Sequence, residues 1–147
     1  MIENMLDCIL VIDDDEPTNF ISTLVIEEAC CTRHLEIADS GFKALNYLQK
    51  ASAKTTVHNN FILPDLVFLD INMPRMNGWE FLTEFKKLNN DYFRKPVIIM
   101  LTTSLNPDDK HRAENIPEVD GFENKPLTKE MIQKMMEKYF NIAKTNL

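Results

Sequence analysis

Four apolar runs in this chain of 147 residues end on side chains that can do chemistry. "CILVI" (Cys8 to Ile12) runs into Asp13, Asp14 and Asp15, and "DLVFL" (Asp65 to Leu69) into Asp70. "VIIML" (Val97 to Leu101) leads to Thr102 and Thr103, and "GFEN" (Gly121 to Asn124) to Lys125 and Pro126. Carboxylates gathered without partners repel one another, so such a cluster persists only where some protonate or a cation neutralises them. A hard divalent ion, Mg²⁺ or Mn²⁺, is the economical neutraliser. Mg²⁺ takes one or two carboxylates with water and phosphate oxygens, which leaves room for a transferring phosphoryl group. Asp70, alone at the end of its run, is then placed as a nucleophile that forms an acyl phosphate. Phosphoryl transfer depends on positioning and charge dispersal more than on covalent help. The metal would take one phosphoryl oxygen, the Lys125 ammonium another, and the Thr102 hydroxyl or a backbone N–H the third.

These residues meet only if the ends of the runs share one edge of a sheet. With "HLEIA" (His34 to Ala38), five short β-branched runs alternate with helical stretches, a βα unit repeated five times. The first, third and fourth runs are almost continuously apolar, as central strands of a parallel sheet covered on both faces must be. The architecture expected is an α/β doubly wound parallel sheet, whose sites form outside the carboxyl ends of the strands. Phe20, Ile21, Leu24 and Val25 recur at helical spacing and predict the buried stripe of the first helix; Phe42, Leu45 and Leu48 do so for the second, and Phe81, Leu82, Phe85 and Leu88 for the third. Pro74 stops the strand after Asp70, and Asn77-Gly78 turns the chain into the third helix. Asn106 and Pro107 open a fourth helix with almost no apolar stripe, predicted to be short and loosely held. Thr128 caps a last helix whose Met131, Ile132, Met135, Met136, Tyr139 and Phe140 form a wide apolar face, by default a core stripe and, through its methionines, suited to an adaptable binding surface. The connection from Gln49 to Pro64 is long and polar in its middle.

Composition excludes several other classes. A formal net charge of −7 disfavours direct nucleic-acid binding, which rewards clustered Lys and Arg. No apolar run approaches the roughly 20 residues of a membrane helix, and the N-terminus lacks the features of a secretory signal, so a cytoplasmic location is expected. Cys8, Cys30 and Cys31 lack metal-ligand spacing and read as reduced thiols, and His34, His58 and His111 show no zinc pattern. Asp15 taken singly reads as a helix N-cap.

The blocks "ILVIDDDEP", "PDLVFLDINMPRMNG", "PVIIMLTTS" and "GFENKP", in order from about Ile9 to Tyr139, together resemble the receiver domain of two-component response regulators. The resemblance implies a flavodoxin-like sheet of five strands in the order 2-1-3-4-5. It also implies one receiver domain over residues 1–147, its core about 8–140, with no output domain. By the same resemblance Asp13 and Asp14 hold Mg²⁺, Asp14 more directly, with Asp70 and the Asn72 backbone carbonyl completing the metal site. Asp70 is then the phosphoacceptor, Thr102 the switch hydroxyl, Phe122 its aromatic partner and Lys125 the phosphate-binding lysine, followed by a peptide bond to Pro126 that is commonly cis. The implied function is signalling and not turnover of a substrate: a sensor histidine kinase or a histidine phosphotransfer protein supplies the phosphoryl group. The face formed by the fourth helix, fifth strand and fifth helix then switches toward a target protein or a second copy of the chain.

Departures from the family pattern are Phe122 without a phenolic hydroxyl, Thr103 where a small residue is usual, and "ENIPEVDG" closing the fourth helix. A rival reading, a hydrolase resembling the haloacid-dehalogenase-type phosphatases, makes Asp13 the nucleophile and Asp15 the acid/base, and leaves "LDINMPRMNG" unexplained. A third, a receiver that binds without phosphorylation, has no support in residues that are all present.

Overall fold

Successive residues of a strand point to opposite faces, and here that alternation builds two cores. The computed structural model describes residues 5–52, 61–88 and 94–143. Its elements are β1 (Leu6–Ile12), α1 (Glu16–Ala29), β2 (Thr32–Ala38), α2 (Gly41–Ala51), β3 (Leu66–Leu69), α3 (Gly78–Phe85), β4 (Val97–Thr102), α4 (Pro107–Glu114), β5 (Gly121–Asn124) and α5 (Lys129–Phe140). All neighbouring strands pair in parallel, in the order β2-β1-β3-β4-β5, so the fold is the expected flavodoxin-like sheet. Leu10, Ile12, Val67, Leu69, Ile98 and Met100 face α2 and α3 with Ala113 of α4, while Ile9, Val11, Leu66, Phe68, Ile99 and Leu101 face α1 and α5. No helix among the described residues is long and apolar enough to cross a membrane.

Local signals place the helix starts. Asp15, Ser40, Asn77, Asn106 and Thr128 each cap a helix through the side chain, and Asn77 and Glu80 complete a reciprocal capping box. α4 buries only Ala113, as its missing stripe predicted, and the Arg112 guanidinium lies 4.4 Å from the centroid of the Trp79 ring on α3. On α5, Ile132, Met135 and Met136 are core, whereas Met131, Tyr139 and Phe140 are only partly buried. Half of the Gln49–Pro64 connection, residues 53–60 with His58, lies outside the described residues. Where the chain returns, the Tyr47 hydroxyl donates to the Ile62 carbonyl at 2.8 Å and accepts from its N–H at 3.0 Å.

The stripe expected on α1 is overturned at Phe20, Ile21 and Leu24, while Val25 is partly buried against the core. Phe20, Ile21 and Leu24 are 63%, 45% and 43% exposed, and the helix instead turns Asn19, Ser22 and Ile26 inward. Leaving a phenylalanine in water forgoes about 2 kcal/mol of burial, and the apolar contact of α1 with the core is carried by Ile26, with Val25 and Ala29 beside it. Phe42 is likewise exposed, while Leu48 and the α3 residues Phe81, Leu82 and Phe85 are buried as expected.

Gly78 sits where the chain doubles back against the end of β3. Its N–H donates to the Ile71 carbonyl at 2.7 Å, and a Cβ at this position would lie 2.5 Å from the Asp70 carbonyl oxygen. Gly78→Ala must push α3 away from that backbone and is expected to cost about 2 kcal/mol. Urea denaturation checks this; an unchanged midpoint would contradict so close an approach.

Candidate functional site

Parallel pairing puts the reactive residues side by side. Ile12 pairs with Leu69, so the next residues, Asp13 and Asp70, leave β1 and β3 at the same level, at the point where the winding of the sheet reverses. Their amides are fixed by the Ala38 carbonyl (3.1 Å) and the Ile12 carbonyl (3.0 Å) respectively. One carboxylate oxygen from each of Asp13, Asp14 and Asp70 lies within 4.8 Å of the others, a spacing that fits one hard cation; Asp13 and Asp70 are buried and Asp14 is exposed. The donor set is all carboxylate oxygen with one exposed member, which suits Mg²⁺ holding waters on its open side.

Lys125 reaches the same point from the end of β5. Its Nζ lies 2.5 Å from Asp13 Oδ2 and 3.3 Å from Asp70 Oδ1, and its peptide bond to Pro126 is cis. Thr102, fully buried, ends β4: its carbonyl accepts from the Lys125 N–H at 2.8 Å, and its Oγ1 accepts from the Ser104 N–H at 3.1 Å. Phe122 is half-buried and packs on the core that faces α2 and α3. Thr103 and Asn72 are exposed, Asn72 in the loop leaving Asp70, a loop that turns at Arg75 with φ of 67°. Of the residues singled out in the sequence, Asp13, Asp14, Asp70 and Lys125 form the cluster itself, and Thr102, Thr103, Phe122 and Asn72 lie on its rim or one layer behind.

Asp15 does not join the cluster. Its carboxylate accepts from the Thr18 N–H at 3.1 Å and the Thr18 hydroxyl at 2.5 Å, and these bonds hold its pKa below the usual value. A carboxylate locked as a cap and kept ionised is unfit to donate a proton, which removes the acid/base that the hydrolase reading needs.

Three contributing residues were not legible beforehand. The Asn124 amide donates to the Ser104 carbonyl at 2.8 Å; the Ser104 hydroxyl donates to Asp109 of α4 at 2.5 Å; and the Asn19 amide donates to the Asp13 carbonyl at 2.8 Å. Asparagine and serine at strand ends and in the first turn of a helix are too common for their spacing to have marked them.

Comparison with known proteins agrees with this geometry. The response regulator receiver domain matches residues 9–137. The response regulator Rcp1 of Synechocystis is 34% identical over 101 residues, covering 69% of this chain and 65% of its own length. FilR2, a probable methanogenesis regulatory protein of Methanothrix harundinacea, is 28% identical over 88% of this chain and 78% of its own. The crystal structure of a two-component response regulator from Cytophaga hutchinsonii superposes with a TM-score of 0.80 at 32% identity, covering 93% of this chain and 98% of that one.

Electrostatics make the cluster pH-sensitive. Burial, reinforced by repulsion from Asp13 and opposed by attraction to Lys125, pushes the Asp70 carboxyl up to about 6. Burial would depress the Lys125 ammonium, but hydrogen bonding and attraction to Asp13 and Asp70 outweigh it and hold the group above the ordinary lysine value. In the unfolded chain Asp70 titrates near its ordinary 3.8, so the metal-free folded state carries more protons between about pH 4 and 6. This group therefore makes stability fall as pH rises through that window. Asp70→Asn mimics the neutral form, so its stability relative to wild type should climb from about pH 4 to 6 and level off at roughly 2–3 kcal/mol. Denaturant titrations of both proteins without divalent ions test this; a difference independent of pH would contradict the raised Asp70.

Proposed function

The chain belongs to the response regulator receiver family, and from that premise we propose that it is a phosphoacceptor in two-component or phosphorelay signalling, with Asp70 receiving the phosphoryl group. The observation that carries the reading is the convergence of Asp13, Asp14, Asp70 and Lys125 on one point at the switch of the sheet.

In the proposed reaction an Asp70 carboxylate oxygen attacks the phosphorus of a phosphohistidine; an O–P bond forms, the P–N bond breaks, and the imidazole leaves with the electron pair. Bound Mg²⁺ supplies charge neutralisation on a phosphoryl oxygen and on the acids, held by Asp13, Asp14, Asp70 and the Asn72 backbone carbonyl. Lys125, already paired with Asp70, is positioned to follow the charge onto a second phosphoryl oxygen. The donor is a sensor histidine kinase or a histidine phosphotransfer protein. Phe20, Ile21 and Leu24, exposed on the helix that starts two residues after Asp14, offer it an apolar surface beside the acids.

Output follows from Thr102. At rest its hydroxyl is held by the Ser104 N–H, and Ser104 is bonded in turn to Asp109 and to the Asn106 N–H at the start of α4. A phosphoryl oxygen on Asp70 accepts a hydrogen bond from the Thr102 hydroxyl, and a Thr102 that rotates to donate it leaves the Ser104 N–H and releases the loop that anchors α4. Because α4 buries one residue, little packing resists its shift. The face of α4, β5 and α5, with Phe122 moving inward, then changes affinity for a target protein or for a second copy of the chain.

Purified protein treated with Mg²⁺ and acetyl phosphate should gain one acid-labile, hydroxylamine-sensitive phosphoryl group on Asp70, mapped by mass spectrometry after borohydride trapping. Asp70→Asn should abolish it, and label persisting on Asp13 would sink the proposal. Asp14→Ala should weaken Mg²⁺ binding about tenfold or more, read from the fluorescence of the single tryptophan, Trp79. Unchanged affinity would remove Asp14 from the metal site.

A further inference from the structure

The inverted face of α1 has a counterpart at the acid cluster. Asn19, which occupies a core-facing position that a leucine would fill at no polar cost, is 9% exposed. Its side-chain amide donates to the Asp13 carbonyl at 2.8 Å, while its Oδ1, also buried, meets no hydrogen-bond partner among the described residues. A buried acceptor left unpaired is unfavourable, so the residue as a whole is a poor way to stabilise the helix. What it does accomplish is local. Asp13 has its N–H on the Ala38 carbonyl, its Oδ1 accepting from the Asp15 N–H at 2.9 Å, and its Oδ2 on Lys125; the Asn19 amide fixes the one remaining polar group, the carbonyl. That carbonyl belongs to the peptide linking Asp13 to Asp14, so fixing it orients the backbone from which both carboxylates project.

We propose that Asn19 is a positioning residue for the metal site: by holding the Asp13–Asp14 peptide plane it aligns the two acids for a divalent cation, at the expense of packing under α1. This rests on the receiver reading given above. Groups that orient metal ligands from behind typically contribute about 10- to 100-fold in affinity. Places where a chain breaks its own hydrophobic pattern are where function is expected to have set the residue.

The test measures Mg²⁺ affinity by Trp79 fluorescence and by amide NMR shifts of Asp13 to Asp15, beside the melting temperature of the metal-free protein. Wild type, Asn19→Leu, which keeps the branched shape and removes the donor, and Asn19→Ala, which serves if the bulkier leucine fails to fold, are compared. Mg²⁺ affinity is expected to fall about tenfold, with the Asp13–Asp15 amides shifted even without metal and the melting temperature held or raised. Wild-type affinity in the variant overturns the proposal. So does a loss of affinity that accompanies a lowered melting temperature, since Asn19 would then be an ordinary core contact. Absence of Mg²⁺ binding by the wild type itself would instead overturn the receiver reading on which the proposal stands.

Discussion

The ion pair from Lys125 to Asp13 and Asp70 is the constraint around which the carboxyl edge of the sheet is arranged. Two buried carboxylates and a third at the surface, all within 4.8 Å, form an arrangement that opposes its own ionisation. One ammonium at 2.5 and 3.3 Å offsets part of that repulsion and ties β5 to β1 and β3, strands it does not touch in the sheet. The balance is incomplete, as the raised Asp70 carboxyl records. A divalent cation at the cluster would complete it, and a phosphoryl group on Asp70, as proposed, would change it again. The edge is thus held by charge and not by packing, which makes it responsive to ligands that carry charge.

Around that edge the helices divide by what they contribute. α2 and α3 are ordinary amphipathic helices that bury their apolar faces and keep the sheet rigid. α1 and α4 are not. α1 leaves three large apolar residues in water while burying an asparagine against the backbone of Asp13, and α4 is attached by one alanine, a polar loop and the stacking of Arg112 on Trp79. Elements weakly committed to the core are the ones that open at low cost, and they flank the two sides of the acid cluster. The loop from Thr102 through Ser104 to Asp109 joins the cluster to the looser of them.

Much of this was readable in the order of residues. The five strands, their parallel pairing, the caps at Asp15, Asn106 and Thr128, and the meeting of Asp13, Asp14, Asp70, Thr102 and Lys125 at one edge were readable from local signals and from where apolar runs stop, because a parallel sheet delivers every run's end to the same side. The weakness of α4 was equally plain, since a helix without a stripe has nothing to bury. What misled was the stripe of α1. Periodicity gives the spacing of apolar residues but not which way a helix is turned, and Phe20, Ile21 and Leu24 satisfy the spacing while facing water.

Sequence alone therefore determined the succession of elements and the chemical inventory, while the strand order came from the family resemblance: strand and helix periods are local properties, and carboxylate, hydroxyl and ammonium groups are named by their residues. Tertiary structure decided the rest. That Lys125 spans two acids depends on strands distant in the chain, and that Asn19 holds the Asp13 carbonyl and Thr102 rests on Ser104 depends on how each loop and helix turns at the sheet edge. Each of those groups had several partners within reach of its residue type. Only the packed geometry of the sheet edge chose among them, because hydrogen bonds and ion pairs at this range depend on distances of a few tenths of an ångström that residue order does not carry.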